Sequence, residues 1–380
     1  MTGSAGAADG GAPDGGTAAD TPVGRLETVA TFPGAMPTGV TVSHTGRIFV
    51  NFPRWGDDVP ATVCELRQGE ARPYPDLGLN TPRDVDDPER FVSVQSVVVD
   101  PANRLWILDT GSPMLQPTRY GGPKLVRVDL DTDTVAEPVI FPREVALETS
   151  YLNDVRFDLR RGAAGIAFVT DSSAHGDNGI VVVDLATGES WRRLHRHPST
   201  LAEPLTTFRP IVEGRPFLER PEGGPSRPIS MGSDGIAISA DGSRLYYCPL
   251  ASRHLYSVDV DALVDRSVDD ETVAGTVRDE GDKGTASDGL ESDAEGRIYL
   301  TSYEHNAVLR RLPDGQYDTL VHDARLLWPD TMSVATDGHL YVTANQLHRQ
   351  PQYQGGNDRR IRPYALFRVR IDAGPVLLTR

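Results

Sequence analysis

Six times along the chain a polar residue is followed at alternate positions by apolar ones, then by a turn and a second apolar run. The copies begin at Thr38 (Val40, Val42, then Ile48, Val50), Gln95 (Val97, Val99, then Leu105, Ile107), Asn153 (Val155, Phe157, then Phe168), Asp234 (Ile236, Ile238, then Leu245, Tyr247), Asp288 (Leu290, then Ile298, Leu300) and Asp330 (Met332, Val334, then Leu340, Val342). Period-two alternation on both sides of a breaker predicts a β-hairpin. The breakers are Thr45-Gly46, Pro101-Ala102-Asn103, Asp241-Gly242, Glu295-Gly296 and Asp337-Gly338, with a longer connection, Arg160 to Ala163, in the third copy. Such hairpins cannot bury their own apolar faces, and repeats of this size stack radially as blades. The pattern therefore predicts an all-β, six-bladed β-propeller. Further strands are expected over 124–130, 179–185, 254–260, 307–312 and 365–371. The early run 26–32 is expected to complete the last blade and cover two open edges.

A radial array puts the six leading residues at one height around one axis. That ring reads Thr38, Gln95, Asn153, Asp234, Asp288 and Asp330, and its carboxylates and amides are oxygen donors of the kind a hard cation takes. Calcium suits such a set first, with magnesium or manganese also admissible, and nothing in the pattern calls for an organic cofactor. The expected metal ligands are Asn153, Asp234, Asp288 and Asp330. In an antiparallel hairpin the residue entering the first strand and the one leaving the second lie at the same end. This adds Arg54, Asp109 with Thr110, Asp171 with Ser172, Ser252, Glu304 with His305, and Asn345 to the candidates. Asp288, His305, Asp109 and Asp171 are read as proton-handling groups. Arg54, Trp55, Gln95, Asn153, His175 and Asn345 are read as substrate contacts. Asp109-Thr110-Gly111 matches the short motif of aspartic proteases, but that chemistry needs two copies and the chain has one.

Composition narrows the partners. Asp and Glu number 54 against 38 Lys and Arg, for a net charge of −16, which opposes nucleic-acid phosphates and anionic membranes. A small-molecule substrate and a monomer are expected. Cys64 and Cys248 form neither a metal-ligand spacing nor a disulfide framework. Residues 1–24 are rich in Gly, Ala, Asp and Thr without a basic start or apolar centre; they read as a disordered tail, not a secretion signal, and the expected location is cytoplasmic. Residues 25–380 are expected to form one domain, with a proline- and arginine-rich loop insert at 195–233.

The segments GRIFVNFPRW (46–55), SVVVDPANRLWILDTG (96–111), YLNDVRFD (151–158), AFVTDSS (167–173), DGIAISADGSRLYYCPLASRHLYSV (234–258) and WPDTMSVATDGHLYVTANQL (328–347) resemble the major royal jelly protein and yellow family. The resemblance runs through nearly all of the chain beyond residue 30 and implies a six-bladed propeller. Some insect members act in pigment chemistry, including dopachrome conversion; others are secreted proteins without a known reaction. Family members are usually secreted and disulfide-bearing, features this sequence does not show. A more distant likeness is to the gluconolactonase and senescence marker protein propellers, which hold a divalent cation with a glutamate, an asparagine and an aspartate. That likeness implies Asp234 at the asparagine position, Asp288 at that of the aspartate that is also the base, and Asn153 at a substrate-side asparagine. Thr38 stands at the glutamate position, with Asp330 in the neighbouring blade to compensate. The leading expectation is an enzyme rearranging an oxygenated aromatic or cyclic substrate by proton transfer. The alternatives are a metal-dependent lactone hydrolase and a ligand-binding propeller without catalysis.

Overall fold

The computed structural model describes residues 22–81, 89–204 and 206–380, and it is a six-bladed β-propeller. Blade one is Val40–Val42, Ile48–Asn51, Val63–Arg67 and Glu70–Pro73; blade two is Val94–Val99, Arg104–Thr110 and Pro123–Asp129, with Thr134–Val135 and Val139–Ile140 sharing its outer edge. Blades three, four and five run from Leu152–Asp158 to Ser190–Arg193, from Ser233–Ile238 to Arg278–Asp282, and from Leu290–Ser292 to Tyr317–His322. Blade six joins Pro329–Val334, His339–Ala344 and Tyr364–Arg370 to the early strand Leu26–Phe32. The expected closure is therefore present. Leu26 pairs with Val369 and Phe32 with Tyr364, so strands from the two ends of the chain fasten the ring.

The inner strands are buried on both faces, so that alternate polar residues such as Thr41, Arg156 and Ser333 are enclosed along with the apolar ones. Their packing around the axis leaves no room for a side chain at certain points. A Cβ at Gly289 would lie 2.3 Å from the carbonyl oxygen of Asp330, and one at Gly235 2.4 Å from that of Asp288. Glycine after the polar leader thus lets neighbouring blades touch through their backbones. Threonines on the second strands complete the joints: Thr170 Oγ1 donates to Asp234 O at 2.6 Å and Thr343 Oγ1 to Thr38 O at 2.6 Å.

The 195–233 stretch is not featureless. It carries two small hairpins, Ile211–Val212 with Arg215–Pro216 and Leu218–Glu219 with Arg227–Pro228, which the proline-rich sequence concealed. Phe217 from this insert packs on Trp328, Tyr303 and Tyr353. Of the expected tail only residues 22–24 are described, and Val23 and Gly24 donate to Thr319 O and Leu320 O at 3.2 and 2.7 Å. No helix among the described residues is long and apolar enough to cross a membrane.

Candidate active site in the axial cavity

A cavity of about 320 Å³ opens at the end of the axis where the inner strands begin. Its walls include Trp55, Leu115, Tyr151, Met231, Leu347 and Tyr353, and three aspartates, Asp234, Asp288 and Asp330, line it together with Asn153 and Gln95. The backbone explains why these leaders reach the axis. Strand pairing slips between Val94 and Ser96, between Leu152 and Val155, between Ser233 and Ile236 and between Pro329 and Met332. Each irregularity falls on the polar leader, and a bulge re-aims the side chain it carries. In blade five Asp288 precedes the strand, and Thr301 Oγ1 accepts from the backbone N–H of Asp288 and of Gly289 at 3.0 and 3.1 Å.

The three carboxyl groups are almost sealed from solvent, with relative exposures of 5, 8 and 4% for Asp234, Asp288 and Asp330. Burial pushes the Asp234 carboxyl well above the ordinary carboxylate range, and the neighbouring Asp288 and Asp330 charges add to it. Asp330 is raised in the same way by burial and by Asp288. Asp288 is pushed up to about 6 by burial, held from going further by hydrogen bonds from Trp328 and Asp234. Three carboxyl groups crowded into one buried pocket thus resist being charged together. Nitrogen donors support the cluster from behind: Trp328 Nε1 donates to Asp288 Oδ2 at 2.7 Å, Asn345 Nδ2 to Asp330 Oδ2 at 2.5 Å, and Asn153 Nδ2 to Asp234 Oδ1. Trp328 adopts φ +58°, a conformation costly for a bulky residue, and its indole stacks 4.2 Å from the Tyr303 ring.

The structure divides the other sequence candidates sharply. Trp55, Gln95 and His175 line the cavity. Asn345 is fully buried and reaches the site only through Asp330. Asp109 and Asp171, expected as proton-handling groups, do not line it. Asp109 accepts from the backbone N–H of Val92, Ser93 and Gly111 and pairs with Lys124 at 3.4 Å. Asp171 accepts from Ser150 Oγ, Tyr151 N, Ser173 N and Arg192 Nη1. Ser172, the next residue and so on the opposite face of the strand, lines the cavity instead. Arg54 is turned into its own loop, donating to Val59 O at 2.8 Å and Asn80 O at 2.7 Å. His305 is exposed beside Glu304 and His322, in a separate surface hollow. Thr38 is committed to its neighbours, donating to Gln95 O and accepting from Asn51 Nδ2. Sequence reasoning passed over Tyr151 and Trp328, the first because it reads as core and the second because nothing in the repeat marks a residue two before the leader.

Among the described residues no group of three or more His, Cys, Asp or Glu side chains is arranged to hold a metal ion. The oxygen chemistry of Asp234, Asp288 and Asp330 nevertheless suits a hard cation, and Asn153 would join them if its amide turned to present oxygen in place of nitrogen.

Residues 92–362 match the major royal jelly protein family. The chain belongs to that family. The yellow proteins of Drosophila erecta and Drosophila melanogaster are each 30% identical to it over 246 residues, an alignment covering 61% of this chain and 42% of theirs. The chain thus spans less than half the length of these relatives. Among solved structures, a luciferin-regenerating enzyme superposes with a TM-score of 0.56 at 12% identity, covering 94% of this chain and 100% of that one. The calcium-binding protein regucalcin from Agrobacterium tumefaciens and a gluconolactonase from Xanthomonas campestris each give 0.52 at 14% identity, covering 92 and 91% of this chain and 95 and 89% of theirs. At such identities the likeness establishes the propeller fold.

Proposed function

We propose that this royal jelly family member is a small-molecule hydrolase that opens a neutral cyclic ester in the axial cavity. The observation that carries the reading is the buried carboxyl cluster of Asp234, Asp288 and Asp330 beside the apolar wall of Trp55, Leu115 and Tyr353. Among the described residues no lysine or arginine lines the cavity, so an anionic substrate would meet three buried acids without either cation to offset them, whereas a neutral ring would bury against Trp55, Leu115 and Tyr353. Asp288 takes a proton from water as the water oxygen attacks the ester carbonyl carbon; the ring C–O bond then breaks, and the departing alkoxide oxygen takes a proton back. Asp288 holds that proton between the two steps and returns it to the alkoxide. A divalent cation of the calcium type, held by Asp234, Asp288, Asp330 and a turned Asn153, would supply carbonyl polarisation and balance the clustered charge.

Family membership favours a second reading in which the same Asp288 base isomerises an oxygenated substrate. One experiment separates the two. Wild type and Asp288→Asn are assayed on a lactone panel and on aminochrome and keto-enol substrates, in ¹⁸O-labelled water and in deuterium oxide. Ring opening with uptake of solvent oxygen, lost by roughly 10²- to 10⁴-fold in the variant, supports the hydrolase. Isomerisation with solvent deuterium incorporated supports the isomerase. Turnover that Asp288→Asn fully retains removes this residue from the mechanism.

A further inference from the structure

The cavity wall contains a hydrogen-bond chain whose direction chemistry fixes. Trp55 Nε1 lies 2.9 Å from Tyr151 Oη, and Tyr151 Oη lies 2.8 Å from Gln95 Oε1. An indole N–H can only donate, so the Tyr151 oxygen accepts from Trp55. The Tyr151 hydroxyl proton goes on to Gln95, and a proton can be received only by the amide oxygen. The orientation of the Gln95 amide, ordinarily a matter of choosing between oxygen and nitrogen, is the one that gives the buried Tyr151 hydroxyl proton an acceptor. The amide nitrogen of Gln95 is left as the free end of the chain. No described residue accepts from it, and Gln95, Tyr151 and Trp55 all line the cavity that holds the three aspartates.

We infer that Gln95 Nε2 is the donor that receives the carbonyl oxygen of the substrate, with Tyr151 and Trp55 as positioning residues that prevent the amide from turning over. The ligand class follows: a neutral ring bearing a carbonyl group. The three aspartates offer mostly acceptors, so a carbonyl oxygen has its best partner on the opposite chemical type, the Gln95 N–H. A preorganised donor of this kind strengthens as negative charge grows on the oxygen during attack. This inference rests on the cyclic-ester reading for its catalytic meaning but on the relay alone for its binding meaning.

The test compares dihydrocoumarin with chroman, the same bicyclic ring without the carbonyl, by calorimetric titration in the Asp288→Asn background, where enzymatic opening of the lactone is slowed; chroman is also titrated into the wild type to check that background. The expected result is about tenfold tighter binding of dihydrocoumarin, the worth of one well-formed hydrogen bond. Gln95→Met, similar in shape but without the donor, abolishes the preference while leaving chroman affinity in place. Gln95→Glu reverses it, because a carboxylate repels the carbonyl oxygen. Tyr151→Phe reduces the preference by freeing the amide to turn. Equal affinity of the two rings, binding of neither, or a carbonyl preference that survives Gln95→Met overturns the inference. If the preference is present but no lactone is hydrolysed by the wild type, the hydrolase reading falls and the carbonyl site stands. If lactones are hydrolysed without any carbonyl preference, the reverse holds.

Discussion

His348 provides a measurable link between acid and the wall of the site. Its ring is 3% exposed, stacks 5.7 Å from Trp328 at 19°, and through Trp328 stands one residue behind Asp288. Nε2 lies 3.3 Å from Glu213 Oε2, close enough for attraction if charged, but neither ring nitrogen makes an aligned hydrogen bond. Burial lowers its pKa from 6.5 to about 4, the attraction of Glu213 offsetting only part of the cost. The sign follows from proton counting. Between pH 6.5 and 4 the unfolded chain holds a proton on His348 that the folded chain does not, so stability falls as pH falls through that window and the loss stops below about 4. A gap of some 2.5 units corresponds to about 3 kcal/mol. His348→Phe keeps a ring against Trp328 but cannot titrate. Denaturant unfolding of both proteins at intervals from pH 7.5 to 4 is the assay, and the difference between the two stability curves reports on His348 together with Glu213, the carboxyl it faces. The wild type is expected to lose about 3 kcal/mol relative to the variant across the window. Parallel curves would refute the reasoning, showing that the ring gains solvent or a partner on protonation.

Two further outcomes follow from the inner strands and the acid cluster. Gly289→Ala places a methyl 2.3 Å from the Asp330 carbonyl oxygen and should cost about 3 kcal/mol in unfolding experiments, whereas Gly34→Ala, with nothing within 4 Å, should be near neutral; equal effects would mean that blades five and six separate easily. If the aspartates hold a cation, calcium added to chelator-treated protein raises the melting temperature by the equivalent of about 2.7 kcal/mol at a hundredfold excess over Kd, and Asp330→Asn removes most of that rise; an unchanged melting temperature in calorimetry refutes the cation site.

The six alternating hairpins and the closing strand were legible because each is a local pattern: apolar residues at period two after a polar leader, a turn residue at a tight reversal, and an early apolar run whose partner had to be an edge. The exposed outer strands were not, since Glu70–Pro73 and Arg278–Asp282 carry no apolar alternation and owe their pairing to the strand beside them. The ring of leaders could likewise be written down from sequence, because rotation about one axis brings equivalent positions together whatever lies between. What sequence could not decide is which polar groups face that axis. Asp171 and Ser172 are neighbours in the chain, yet only Ser172 lines the cavity while Asp171 staples a turn with four hydrogen bonds; adjacent strand residues point to opposite faces, and where the register slips only the folded backbone assigns them. The direction of the Gln95 amide and the raised proton affinity of Asp234 beside Asp288 depend on contacts across 56 and 54 residues of chain. Hydrogen-bond direction and charge repulsion act through space, and the propeller alone brings those groups within reach of one another.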